Sequence, residues 1–376
     1  MKEGIKKAVK HKYFWHFTGV SLFLVFLFLF STGLIFGDDI SYKQGIDLIT
    51  GDKEEVIPTV PPLDKVAYDL KIEELANNPV LPVPEPKFDP VTGEEIPPPA
   101  PKPTLWPVKT VYPNDGAILP FSRIVAYYGN LYSTKMGILG EYSEDIMLEK
   151  LQNQVKEWEL ADPETPVIPA LHYIAVTAQG SPGESGKYRL RMPDKEIDKV
   201  LAMAEKINAI VFLDIQVGLS TIQDELPVFE KYFKLPNVHL GIDPEFSMKT
   251  GARPGTVVGT FDAVDVNFAT SYLANLVREN NLTPKILVVH RYTQKMLTNY
   301  QNIKPLPEVQ IVMHMDGWGG KAKKLNTYKQ FIYKEPVQFT GFKIFYKSDI
   351  KTEGTTIFTP AELLKVSPKP IYIQYQ

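Results

Sequence analysis

An α/β (β/α)8 barrel of the TIM type, preceded by a single transmembrane helix and a proline-rich stalk, is the fold class that this sequence predicts. Three observations predict it. After position 120, eight short β-rich runs alternate with amphipathic helical segments over the last two-thirds of the 376 residues, the usual size of one such barrel. Runs such as Ala209-Ile210-Val211-Phe212-Leu213 are apolar at every position, as parallel strands buried on both faces are. Half of the chain's 32 prolines lie between 57 and 120, which separates the barrel from what comes before it.

Taken in order, the chain begins with a basic tail, 1–13, that carries Lys2, Lys6, Lys7, Lys10 and Lys12. Residues 14–36 are almost wholly apolar, and about 20 such residues cross a bilayer as a helix. Asp38 and Asp39 follow. The positive-inside rule then puts the amino terminus in the cytoplasm and the rest outside the cell membrane, with the lipid bilayer a partner through 14–36. A cleaved signal peptide has a shorter apolar region and an A-x-A-like site; no such site is clear here, so an uncleaved anchor is expected. Residues 37–119 read as an extended linker, because proline fixes φ and removes a donor. A short helix at 65–77 interrupts it.

The barrel domain is expected over 120–376. Its strands are placed at 123–129, 172–178, 209–216, 238–246, 285–292, 309–317, 339–346 and 370–376. Helices are placed between them at 144–160, 194–208, 222–232, 264–280, 293–302, 321–332 and 360–366. A loop at 179–192 and an insertion at 247–262 are rich in glycine. Within the first, Gly186-Lys187 looks like the end of a phosphate loop. Ser181 occupies its first glycine position and Tyr188 its Ser/Thr position, so a rim loop is the reading.

Composition excludes several classes. A net charge of −3 and a pI near 6.1 argue against a nucleic-acid partner, which calls for a basic face. With no cysteine, disulfides, thiolate metal sites, a cysteine nucleophile and a lipobox anchor are ruled out. No motif calls for a cofactor.

Such barrels keep their chemistry at the carboxyl ends of the strands. Asp243 and Glu245 leave the fourth strand at i and i+2, hence on one side. The other strand ends contribute Tyr128 from the first, Asp214 and Gln216 from the third, and His290 and Tyr292 from the fifth. The sixth offers His314 and Asp316 with Trp318 just beyond, and the eighth offers Gln374. His172 and His239 read as polar exceptions at amino ends.

Three chemistries compete for this set. In glycoside hydrolysis Glu245 is the acid, Asp243 raises its pKa by like charge, and Asp214 or Asp316 is the second carboxylate. Tyr128, Tyr292 and Trp318 would stack on sugar, and Gln216, His290, His314 and Gln374 would complete the binding set. The second chemistry is metal-dependent hydrolysis through His290 and His314, although no metal ligand is assigned. The third possibility is a barrel that binds or organises a glycan without turnover, since fold alone implies no activity.

Asp243-Pro244-Glu245 with Met313-His314-Met315-Asp316 resembles the paired runs of chitinase-like hydrolases, with Val238, Gly241 and Met315 replacing two acids and a tyrosine of that pattern. His290 and His314 resemble the ligand pair of amidohydrolase-like barrels, but Ala126-Tyr127-Tyr128 and Gln374 replace the remaining ligands. Five motifs in order carry a broader resemblance: Val125-Ala126-Tyr127-Tyr128-Gly129, Leu213-Asp214-Ile215-Gln216, Gly241-Ile242-Asp243-Pro244-Glu245-Phe246, Val288-Val289-His290-Arg291-Tyr292 and Tyr372-Ile373-Gln374-Tyr375-Gln376. Together they resemble a bacterial family of exported or lipoprotein-type barrels described as glycoside-hydrolase-like. That resemblance implies an extracytoplasmic barrel whose partner is a polysaccharide or other envelope glycan.

Overall fold

A computed structural model of the chain describes residues 60–79, 87–88, 91–96 and 104–376. The expected tail and anchor, 1–36, lie outside the described residues. Among the described residues no helix is long and apolar enough to cross a membrane.

Eight strands make the barrel: β1 (Arg123–Gly129), β2 (Val167–Ala178), β3 (Ile210–Ile215), β4 (Val238–Ile242), β5 (Lys285–Arg291), β6 (Val309–Met315), β7 (Phe339–Ile344) and β8 (Tyr372–Tyr375). Each pairs in parallel with its sequence neighbours, and β8 pairs with β1 to close the ring. β2 starts at Val167, five residues ahead of the expected 172, and carries a register shift between Ile174 and Val176.

Side chains alternate between two apolar layers. Val125, Leu171, Leu213, Leu240, Val289, Met313 and Ile373 pack in the outer one, beneath the helices. Ile124, Ala126, Ala170, Phe212, Val288, Val312 and Tyr372 belong to the inner one, at the lower, amino end of the barrel.

The helices are α1 (Lys65–Ala76), α2 (Glu144–Ala161), α3 (Asp194–Glu205), α4 (Ile222–Glu225), α5 (Glu230–Phe233), α6 (Ala263–Glu279), α7 (Lys321–Tyr328) and α8 (Pro360–Leu363). Asp262 and Asp265 form a capping box that starts α6 and satisfies its first amides. The helix expected at 293–302 is absent. Two short 3-10 turns stand there, around a pairing of Leu297–Thr298 with Phe261–Asp262. Asn299, left-handed at φ 56, breaks the helical path.

The compact unit runs Val60–Gln376, so two stretches of the proline-rich region are not free spacer. From α1, Tyr68, Ile72 and Leu75 pack against Leu119, Ile124 and Ile371 under the barrel. The Gln310 amide accepts from the Leu119 N–H at 3.1 Å and donates to its carbonyl at 2.6 Å, which ties the incoming chain to β6.

Candidate active site

The inward positions at the carboxyl ends of the strands are polar, and they sort into two levels. The upper level lines an open cavity of about 570 Å³. Tyr128, Gln216, Asp243, Glu245, Tyr292, Asp316 and Trp318 from the sequence-derived set all line it, joined by Lys343. The lower level, beneath that surface, holds His172, Asp214, His290, His314 and Gln374, all fully buried. Asp214, His290, His314 and Gln374 were expected at the mouth, and none of them lines the cavity.

Two glycines make the lower level possible. A Cβ at Gly241 on β4 would lie 2.4 Å from His172 Nε2 and 2.5 Å from Asp214 Oδ1. At Gly341 on β7 it would lie 2.6 Å from His314 Nδ1. No real Cβ tolerates such contacts, so the missing side chains are the space that the imidazoles occupy.

On the upper level β4 ends in a 3-10 turn, Pro244–Phe246, where Asp243 Oδ1 accepts the Glu245 amide at 3.0 Å. This bond aims the Glu245 carboxyl at β5, where the Tyr292 hydroxyl donates to it at 2.9 Å. Gln216 donates to Asp243 at 3.4 Å and to the Tyr128 hydroxyl at 3.3 Å. Asp316 pairs with Lys343 at 2.9 Å and with His290 Nδ1 at 2.8 Å. The Lys343 ammonium also sits 3.9 Å above the Tyr128 ring, a cation–π contact.

Below, the Tyr128 hydroxyl donates to Asp214 Oδ2 at 3.1 Å. Asp214 Oδ1 lies 3.3 Å from His172 Nε2 and 3.4 Å from His290 Nε2. His172 Nδ1 meets the Tyr372 hydroxyl at 2.6 Å, and that hydroxyl accepts from the Gln374 amide at 3.0 Å. His314 has no hydrogen-bond partner on either nitrogen and packs edge-on against His290 and Tyr372.

These contacts pull the carboxyl groups apart in acidity. Burial raises Glu245 above the usual carboxylate range and the negative charge of Asp316 raises it further, against the Tyr292 hydrogen bond and the Lys343 charge. Burial, together with its acidic neighbours, lifts Asp243 well above its ordinary value. Burial also opposes ionisation of Asp316, but Lys343 and His290 outweigh it and hold the group below the usual range. Asp214 is held down in the same way by His290 and His172. Burial disfavours a charged His290, yet Asp214 and Asp316 push its pKa up to about 10. His172 has one such partner and burial prevails, at about 4.

Sequence reasoning missed Lys343 and misplaced His172. Lys343 lies two residues after Gly341 and four after Phe339, so strand alternation alone puts it on the inner face.

No protein-family model matches the chain, and no curated protein does. Among solved structures it is similar to the cellulase Cel5C_n, at 12% identity and a TM-score of 0.38 over 67% of this chain and 75% of that one. It is similar also to the alkaline cellulase K catalytic domain, at 10% identity and a TM-score of 0.36 over 68% and 73%. The dihydropteroate synthase of Burkholderia cenocepacia matches at 11% identity and a TM-score of 0.32 over 68% and 86%. Likeness at this level extends across barrels of unrelated chemistry and assigns none to this chain.

Proposed function

We propose that the cavity is a carbohydrate site of glycoside-hydrolase type, with Glu245 as general acid and Asp316 as the ionised carboxylate. One observation carries this reading: a single cavity holds a carboxyl group whose surroundings favour the proton and another whose surroundings remove it. Cleaving a glycosidic bond needs that pair, one group to protonate the leaving oxygen and one to stabilise positive charge at the anomeric carbon. Trp318, 51% exposed at the rim, offers an indole face for a sugar ring. Asp243 holds Glu245 in place through its amide. Asp214 supports the site from beneath and does not meet the substrate.

The apolar run 14–36, with lysines on its amino side, supports an anchor that holds the barrel outside the cell membrane. An envelope polysaccharide is the polymer within its reach there. The full chain should release reducing ends from at least one member of a panel of envelope and wall polysaccharides. Glu245→Gln should lower that rate by about 10²–10⁴, the usual contribution of a general acid. A panel that yields no products sinks the enzymatic reading.

A binding barrel without turnover is favoured by one specific contact. Asp316 is engaged by both Lys343 and His290, and β7 presents a lysine to the cavity where a second carboxylate would serve catalysis. Retention of one glycan by wild type and Glu245→Gln alike, with no cleavage by either, would establish that alternative.

A further inference from the structure

We propose that His172, Asp214 and His290 form a binding site for a divalent transition-metal ion, zinc by preference, inside the barrel beneath the cavity. They come from β2, β3 and β5, and each is fully buried. His172 Nε2, Asp214 Oδ1 and His290 Nε2 all lie within 4.8 Å of one another. His290 Nε2 is a buried nitrogen with no hydrogen-bond partner, and it is aimed into this cluster.

Distances favour a metal site over a plain ionic network. A charged N–H donating to a carboxylate closes to about 2.7–2.9 Å, and His290 Nδ1 does so with Asp316 at 2.8 Å. The two Nε2 contacts to Asp214 Oδ1 stay open at 3.3 Å and 3.4 Å. Donor atoms bonded to one tetrahedral zinc at about 2.0–2.1 Å are separated from each other by about 3.3–3.4 Å. The observed separations are longer than the charged contact to Asp316 and match two edges of a zinc tetrahedron. The third edge, His172 Nε2 to His290 Nε2, lies within 4.8 Å and closes on the ion by a shift of the imidazoles.

The outer contacts agree. A metal-ligating histidine donates its other N–H to a carboxylate or similar acceptor, as His290 does to Asp316, and a bound ion would take the place of the proton that Asp214 otherwise holds on His290 Nε2. His172 has the Tyr372 hydroxyl on Nδ1 at 2.6 Å. Turning over the Gln374 amide, whose oxygen has no partner, lets Tyr372 donate to it and accept from His172. That leaves a lone pair on His172 Nε2. Gly241 is the fourth wall: a methyl there would press on both His172 Nε2 and Asp214 Oδ1. Two imidazoles and a carboxylate suit zinc and its neighbours and do not suit magnesium or calcium. Of the sequence-derived histidine pair, His290 belongs to this site and His314 does not.

The proposal is independent of the glycosidase reading, because its readout is metal content. The full chain, purified from medium containing zinc, iron and manganese, should carry about one zinc per chain that survives dialysis against a chelator. His290→Gln and Asp214→Asn should each lose it while keeping a native far-ultraviolet spectrum. Wild-type chain that folds with no bound metal, or zinc that persists in both variants, would overturn the proposal. Should the variants fail to fold, wild type refolded with Co²⁺ decides the matter. An intense visible band of four-coordinate cobalt supports the site, and six-coordinate cobalt or no uptake refutes it.

Discussion

The two ends of the barrel interior use the same eight strands and the same alternation, yet they are built on opposite principles. At the lower end Ile124, Ala126, Ala170, Phe212, Val288 and Val312 meet as a single apolar cluster, where any filling of the right volume serves. Two residues further along the same strands stand Tyr128, His172, Asp214, His290 and His314. There polar atoms call for particular partners, because an unpaired polar group in a dry interior costs about 1–3 kcal/mol, and His314 alone of the five has no hydrogen-bond partner. The lower end holds the ring closed mostly by undirected packing, with Gln310 and Lys285 as directed contacts at its edge, and the upper end spends that stability on directed groups.

The largest effect expected from breaking this contrast lies at Phe212. Its ring stacks parallel to His172 at 5.1 Å and meets His239 and Tyr372, so it supports the polar level from below. Phe212→Ala should cost about 3–5 kcal/mol by cavity formation, a large share of a typical 5–15 kcal/mol. Glu245→Gln, by contrast, leaves no cavity and keeps an oxygen to accept from the Tyr292 hydroxyl, so it should change stability by no more than about 1 kcal/mol. Urea unfolding of the two variants measures the difference. Similar midpoints would mean that the two ends are not distinct in the way described.

The same contrast sets what was legible in the sequence. All eight strands were visible, because burial on both faces writes an apolar run that needs no tertiary knowledge. The upper cavity was largely visible too, since Asp243, Glu245, Tyr292 and Asp316 end such runs. The buried level was not. Pro169 lies inside β2, opposite Val125, and proline in a run argues against a central strand. Such a proline masks the start of β2 in the sequence, so His172 reads as an amino-end residue when it sits mid-strand beside Phe212. The 293–302 stretch has helix-forming residues, but its pairing with Phe261–Asp262 is a contact that no local pattern encodes.

A smaller effect tests the lower end's own charged group. Lys285, at the amino end of β5, is fully buried and donates to the carbonyls of Leu235 and Val238. Burial lowers its pKa from 10.5 to about 7. Between those values the unfolded chain holds the proton that the folded chain has released, so this group makes stability rise with pH from about 7 to about 10.5. Urea midpoints at neutral and alkaline pH should show that rise in wild type and a flatter line in Lys285→Met. Equal slopes would show that Lys285 keeps its proton when folded.

The smallest effect is the sharpest test of the upper end. The Tyr292 hydroxyl donates to Glu245 at 2.9 Å, and this bond favours the carboxylate against burial and Asp316, which favour the acid. If Glu245 is the proposed general acid, it acts protonated, so activity should fall as pH rises through its pKa, which lies above the ordinary 4.5. Tyr292→Phe removes the one neutral donor that stabilises the charged form. The pKa should rise again, and the alkaline limb of the rate profile should move up by about one pH unit, from a charged hydrogen bond of about 1.5–3 kcal/mol partly replaced by water. The rate on the acid side of the limb should hold nearly constant. If the rate falls at every pH while the limb stays where it was, Tyr292 shapes the cavity without tuning the acid, and the proton on Glu245 is governed by burial and Asp316.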